Sequence, residues 1–135
     1  MLLLDTHALI WLDAGMELTD TALVAIELAR ANGGVLVSAV SAWEIGALAR
    51  KGRLRLDLAP SAWMRRFLSN AGVRSVPLSI EAAIEASGLP QPLHSDPADR
   101  LLIATARELG IPLLTRDRLI HKYAAGTGAV RVIGC

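Results

Sequence analysis

Short apolar runs alternate with amphipathic stretches along this chain. Residues 1–4 and 35–37 are apolar but too short for helices, and they read as buried strands. Residues 73–78, 111–114 and 130–133 read as further strands, and Pro77 puts the third strand at a sheet edge because proline cannot donate to a ladder. Between the strands the apolar positions take helical spacing. Helices are expected over Thr6 to Asp13, over 20–32 behind a Thr19 N-cap, and from Ser41 to about Arg50, where Lys51-Gly52 stops it. Further helices are expected over 60–70, with Trp63, Phe67 and Leu68 inward, from a Ser79 cap to Ala86, from Pro97 to Leu109 before Gly110, and over Arg116 to Tyr123. Leu54, Leu56 and Leu58 alternate with Arg53, Arg55 and Asp57, a period of two in a run short enough to be an extended loop. Residues 88–94, with Pro90 and Pro92, read as a loop. Strands alternating with helices predict an α/β fold in three layers, α/β/α, with a mostly parallel central sheet flanked by helices.

Composition sharpens this picture in two ways. The hydrophobic share is 53%, above the usual range of about 45–50%. Either a sheet covered on both faces or apolar surface kept for partners accounts for the excess. The length, 135 residues, predicts one domain spanning residues 1–135. Charge adds little: a formal net charge of +1 gives no general attraction to nucleic acid. The lone cysteine, Cys135, rules out an internal disulfide and suits a reducing compartment. Met-Leu-Leu-Leu-Asp is no signal peptide, and no apolar run reaches membrane-spanning length, so a cytoplasmic protein away from membranes is expected.

The candidate chemistry lies in four acids at element junctions: Asp5 after the first strand, Glu44 and Asp99 in opening helical turns, and Asp117 after the fourth strand. In a parallel sheet these junctions meet at one edge, where ligands bind. Carboxylates gathered there repel one another unless protons or a cation neutralise them, which points to a hard divalent ion and chemistry on phosphate. Each acid also has a purely structural reading. Asp5 and Asp117 suit helix N-caps, Ser41 with Glu44 spells a capping box, and Asp96, Pro97 and Asp99 suit N-cap, N1 and N3. His7, His94 and His121 lack zinc-ligand spacing and read as surface or loop residues, while Trp11, Trp43 and Trp63 read as core. No glycine-rich phosphate loop is present.

With these acids in place the chain resembles the PIN-domain family, specifically toxins of the VapC type. The likeness rests on Leu-Leu-Asp-Thr-His, Ser-Ala-Val-Ser-Ala-Trp-Glu-Ile, His-Ser-Asp-Pro-Ala-Asp-Arg-Leu-Leu-Ile-Ala-Thr-Ala and Leu-Leu-Thr-Arg-Asp, in that order over nearly the whole chain. The resemblance implies an endoribonuclease dependent on Mg²⁺ or Mn²⁺. Asp5, Glu44, Asp99 and Asp117 would be its catalytic and metal-binding acids, with Thr6, Asp96 and Thr115 in support. It also implies a cognate antitoxin and a homodimer. Arg100 and Arg116, each beside one of the acids, are candidates to contact RNA phosphates. Two rivals stay open: a PIN-type nuclease of RNA processing, and a non-catalytic binding module whose acids only cap helices. An aspartyl-phosphate enzyme or a phospho-accepting receiver needs a further acid beside Asp5, and His7 stands at the position two residues on.

Overall fold

A computed structural model of the chain describes residues 1–91 and 95–135; His94 and the end of the expected 88–94 loop lie outside them. Strands β1 (Leu2–Leu4), β2 (Val35–Ser38), β3 (Val73–Val76), β4 (Leu113–Thr115) and β5 (Val132–Gly134) pair in the order β3-β2-β1-β4-β5. Every pairing is parallel. The helices among the described residues are α1 (Thr6–Asp13), α2 (Asp20–Ala31), α3 (Ala39–Arg50), α4 (Pro60–Leu68), α5 (Ile80–Ser87), α6 (Pro97–Leu109) and α7 (Arg118–Thr127).

The strands show why both faces must be covered. Leu2 and Leu4 of β1 point into one core with Val35, Val37 and Leu114, under residues of α1, α2 and α4. Leu3, Leu36 and Leu113 point the other way, into a second core built with α5, α6 and α7. Period-two alternation along the apolar runs of β1, β2 and β4 thus yields helix–sheet–helix layers. The expected α/β/α architecture holds, and the sheet is entirely rather than mostly parallel.

Element boundaries depart from the sequence reading where local signals compete. Strand β3 ends at Val76, before Pro77, and lies at the sheet edge as expected. The fourth strand starts two residues later than its apolar run, after Pro112, and extends to Thr115. Residues 54–56 form no strand; Leu54 and Leu56 instead pack against the first core. Helix α3 is capped three residues before the expected Ser41, because the Ser38 hydroxyl accepts from the Val40 amide and is the true N-cap. Gly72, with φ of +74°, lies so close to the Arg30 backbone that an added Cβ would meet it at 2.9 Å, so this turn into β3 needs glycine.

Because β1 is flanked by β2 on one side and β4 on the other, the chain reverses its direction of travel across the sheet between β1 and β4. A crevice therefore opens beyond the carboxyl ends of these two strands.

Candidate active site

Asp5 and Thr115 meet at that crevice. Asp5 follows β1, Thr115 ends β4, and the Asp5 amide bonds the Leu114 carbonyl at 3.0 Å. Asp5 occupies the N-cap position of α1, yet its side chain makes no capping bond. Its Oδ2 instead accepts from the Thr115 hydroxyl at 2.7 Å. The same Thr115 oxygen accepts from the Asp117 amide at 3.1 Å, which ties the two acids to one residue.

Glu44 arrives from the neighbouring strand's helix. With Ser38 as cap, it sits in the second turn of α3, so the capping-box reading with Ser41 does not hold. Ser41 is fully buried, and its Oγ lies 2.9 Å from Thr6 Oγ1. The Thr6 hydroxyl donates to Glu44 Oε1 at 2.5 Å. Thr6 has a single hydroxyl proton, so Ser41 must donate to Thr6 and the relay runs Ser41, Thr6, Glu44. Thr6 and Thr115 thus each orient one acid, as the sequence reading expected of them.

One cavity of about 370 Å³ is lined by Asp5, His7, Trp11, Glu44, Asp96, Asp99, Arg116 and Asp117. The four sequence-identified acids and Asp96 all face it. Two of the acids also cap helices. Asp96 accepts from the Asp99 amide at 3.1 Å, and Asp117 accepts from the Leu119 and Ile120 amides at 2.8 and 3.1 Å. Arg100 is not among the lining residues; its Nε donates to the Ala86 carbonyl at 2.8 Å. Arg116 does line the cavity. Its guanidinium carbon lies 4.1 Å from the centroid of the Trp11 ring, and its Nη2 bonds the Cys135 carbonyl at 2.6 Å. Arg116 is therefore held in place by a cation–π contact and a hydrogen bond.

Sequence reasoning missed His7 and Trp11 as lining residues. His7 stands one residue into the helix that opens beside Asp5, and Trp11 lies one turn further, its ring 5.8 Å from that of His7. The i, i+4 spacing on a helix that starts at the site was the available signal. Of the three tryptophans only Trp63 is core, with its indole N–H donating to Asp13; Trp43 is 70% exposed. His121 bonds the Thr115 carbonyl at 2.8 Å from behind the site.

Electrostatics mark the same centre. Burial pushes the Asp5 carboxyl above its ordinary range; the Thr115 hydrogen bond and His7 oppose that rise, and Asp117 adds to it. Burial also raises Glu44, against the Thr6 hydrogen bond and with repulsion from Asp5 and Asp96. Neither Asp5 nor Glu44 forms a salt bridge among the described residues. A buried carboxylate without a cationic partner is costly unless protonated or joined by an external cation. No group of three His, Cys, Asp or Glu side chains among the described residues is arranged to hold a metal ion directly. The carboxylate oxygens that line the cavity instead fit an ion that keeps much of its water shell, as Mg²⁺ does when bound through one or two carboxylates.

The family model described as PIN domain matches residues 2–126 of the chain. The chain is 35% identical over 122 residues to Ribonuclease VapC22 of Mycobacterium tuberculosis, covering 90% of each. Among solved structures it is similar to a toxin–antitoxin complex from Klebsiella pneumoniae, at 25% identity and a TM-score of 0.64, covering 98% of this chain and 96% of that one. DNA-bound VapBC from Salmonella typhimurium shares the fold at 18% identity and a TM-score of 0.65, with 98% and 96% covered.

Proposed function

This chain belongs to the PIN-domain family, and on that premise we propose that it is a metal-dependent endoribonuclease acting as the toxin of a toxin–antitoxin pair. The observation that carries the reading is the cavity at the β1–β4 crevice. Asp5 is 5% exposed there, is joined by four more carboxylates, and forms no salt bridge among the described residues. A module whose acids only cap helices leaves Asp5 and Glu44 unexplained, because neither caps. The likeness to a ribonuclease over 90% of the chain supports RNA as substrate, and the toxin reading carries with it a cytoplasmic site of action.

In this reading one or two of Asp5, Glu44, Asp99 and Asp117 would ligate Mg²⁺ or Mn²⁺ directly and the others would hold it through its bound waters, with Asp96 lining the same cavity. The bound ion supplies Lewis-acid stabilisation of charge on the phosphate and makes water a better nucleophile. The chain's own residues do the rest. Thr115 and Thr6 fix the Asp5 and Glu44 carboxylates in one orientation each, so the acids need not reorganise when substrate arrives. Arg116, pinned on Trp11, offers its remaining N–H donors to a phosphate entering the cavity. Hydrolysis joins the water oxygen to phosphorus, and the departing ribose oxygen takes a proton.

Two partner surfaces support the toxin reading. A groove between α3 and α4 has a floor of Ala42, Ile45, Ala49 and Met64, and suits an amphipathic helix from an antitoxin. A separate apolar face on α5 and Trp43 suits a second copy of the chain.

The deciding experiment incubates the purified chain with a mixed-sequence single-stranded RNA, with Mn²⁺ and with EDTA. Cleavage is expected only with metal and is expected to disappear in Asp5→Asn. Metal-independent cleavage, or full activity in Asp5→Asn, would overturn the assignment.

A further inference from the structure

The chain's cations are concentrated on one segment. Of 14 Lys and Arg in a chain of net charge +1, Arg50, Lys51, Arg53, Arg55, Arg65 and Arg66 fall between residues 50 and 66, where Asp57 is the one acid. All six are exposed. Arg66 is engaged by Asp57 and approaches Asp13. The side chains of Arg50, Lys51, Arg53, Arg55 and Arg65 form no hydrogen bond or ion pair among the described residues. Unpaired like charges held together repel one another, and they gain from a polyanion laid across them.

Placement links this segment to the acid cavity. Lys51 follows Glu44 by seven residues, two helical turns, so it stands on the same side of α3 about 10 Å further along the axis. Arg50 is its neighbour on the last turn. Beyond the helix the alternation noted in the sequence acquires a role. Leu54 and Leu56 pack against the core that also receives Ile10, Trp11 and Leu12 of α1, while Arg53 and Arg55 stay in solvent. The apolar pair thus pins the connection to the same core on which α1, the helix that carries His7 and Trp11 to the cavity, is packed.

The cavity needs such a neighbour. Its five carboxylates repel phosphate, and Arg116 is the one Lys or Arg among the residues that line it. The small net charge supplies no general attraction, so a strand entering must be drawn by cations close by. We infer that Arg50, Lys51, Arg53 and Arg55 form a phosphate-binding track for single-stranded RNA flanking the cleaved bond, an inference that rests on the nuclease reading above. Binding through backbone phosphates is indifferent to sequence, so the track sets affinity and register while the cavity's own lining meets the reacting phosphate.

The test uses full-length chain carrying Asp5→Asn, in EDTA, with a fluorescent single-stranded RNA of mixed sequence. Affinity is measured across salt concentrations, with and without R50A/K51A/R53A/R55A. The quadruple change is expected to weaken binding at least about ten-fold at low salt, and to lower the log–log salt slope by about 2–3, since each lost single-strand phosphate contact removes roughly 0.7. The charge-conserving R50K/K51R/R53K/R55K is expected to bind like the parent. Lys51→Glu alone, a change at an exposed position, gives the same direction of effect should the quadruple variant melt early. Affinity and slope within two-fold of the parent overturn the track, as does a quadruple variant that loses an acidic protein partner while keeping RNA. Cleavage by the unmodified chain is scored separately. A chain that cleaves but whose RNA binding ignores these residues keeps the nuclease reading and loses the track; one that binds through them without cleaving does the reverse.

Discussion

Asp5 is buried behind the Thr115 hydroxyl and forms no salt bridge among the described residues. Burial raises its pKa above the ordinary 3.8, so the folded chain holds a proton there more tightly than the unfolded chain does. Stability from this group is therefore fully present below the ordinary value and is lost as pH rises through the raised one. Metal-free protein is expected to melt progressively lower as pH climbs through that window, a slope to which Glu44, also raised, contributes. Asp5→Asn removes the charge but leaves an acceptor for Thr115. It is expected to flatten the pH dependence and to raise the metal-free melting temperature at neutral pH, while abolishing any rise on adding Mn²⁺. Scanning calorimetry from acid to neutral pH checks this; a variant less stable than the parent at neutral pH would contradict it. At Glu44 the capping role is gone, and the Thr6 hydrogen bond is what Glu44→Gln must preserve. Gln accepts that bond as Glu does but is a poor ligand for a hard ion. Loss of cleavage with little change in metal-free melting is expected, and retained cleavage in Glu44→Gln would return the residue to a purely structural role.

The helices explain why acids at element ends are ambiguous from sequence and how the fold separates their roles. Asp96 caps α6 through the Asp99 amide, and Asp117 caps α7 through two amides, although both also face the cavity. Asn caps nearly as well as Asp, whereas Ala loses about 1 kcal/mol. Asp96→Asn is therefore expected to keep stability and most cleavage, and Asp96→Ala to lose about 1 kcal/mol in urea melts. Asp99→Asn is expected to cut activity and metal affinity at least ten-fold. If Asp96→Asn is the more damaging of the two, the ion sits one turn nearer the start of α6. The order of strands and helices was legible because the central strands are carried by short apolar runs and most helices carry a hydroxyl, carboxyl or proline at their start. The start of α3 was not. Ser38 and Ser41 are both good caps one turn apart, and the choice falls to Ser38 because Ser41 is drawn inward by Thr6, a contact 35 residues distant in sequence. The acids were legible as junction residues, since junctions in a parallel sheet converge. His7 and Trp11 were not, because their part in the cavity depends on how α1 leaves Asp5.

At the scale of the molecule, the high aliphatic content resolves into two filled cores and a remainder left in solvent. Both expected uses of the excess are present: the sheet is covered on each face, and large apolar side chains still stand outside. Trp43 is 70% exposed, Ile80 75% and Ile84 68%. Ile80 and Ile84 lie one turn apart on the same side of α5, and Leu78, just before that helix, shares a small apolar pocket with Trp43 and Leu101. Ile80 and Ile84 thus give α5 an exposed apolar face, and the pocket adds a second apolar patch at the start of α3. An apolar face of this kind on a chain of 14.4 kDa is best covered by its own copy, since a twofold interface lays the same patch against itself. Light scattering is expected to give twice the chain mass. Ile80→Asp with Ile84→Asp is expected to give the single mass, because the two charges would face their copies across a dry contact. Both side chains are already in water in the monomer, so the change is expected to leave the melting temperature measured at low concentration nearly unaltered. It is also expected to leave the Mn²⁺-induced rise intact, since neither residue lines the acid cavity. A double variant that still scatters as a pair, or an unmodified chain that stays single at high micromolar concentration, would show that this face is reserved for a different partner.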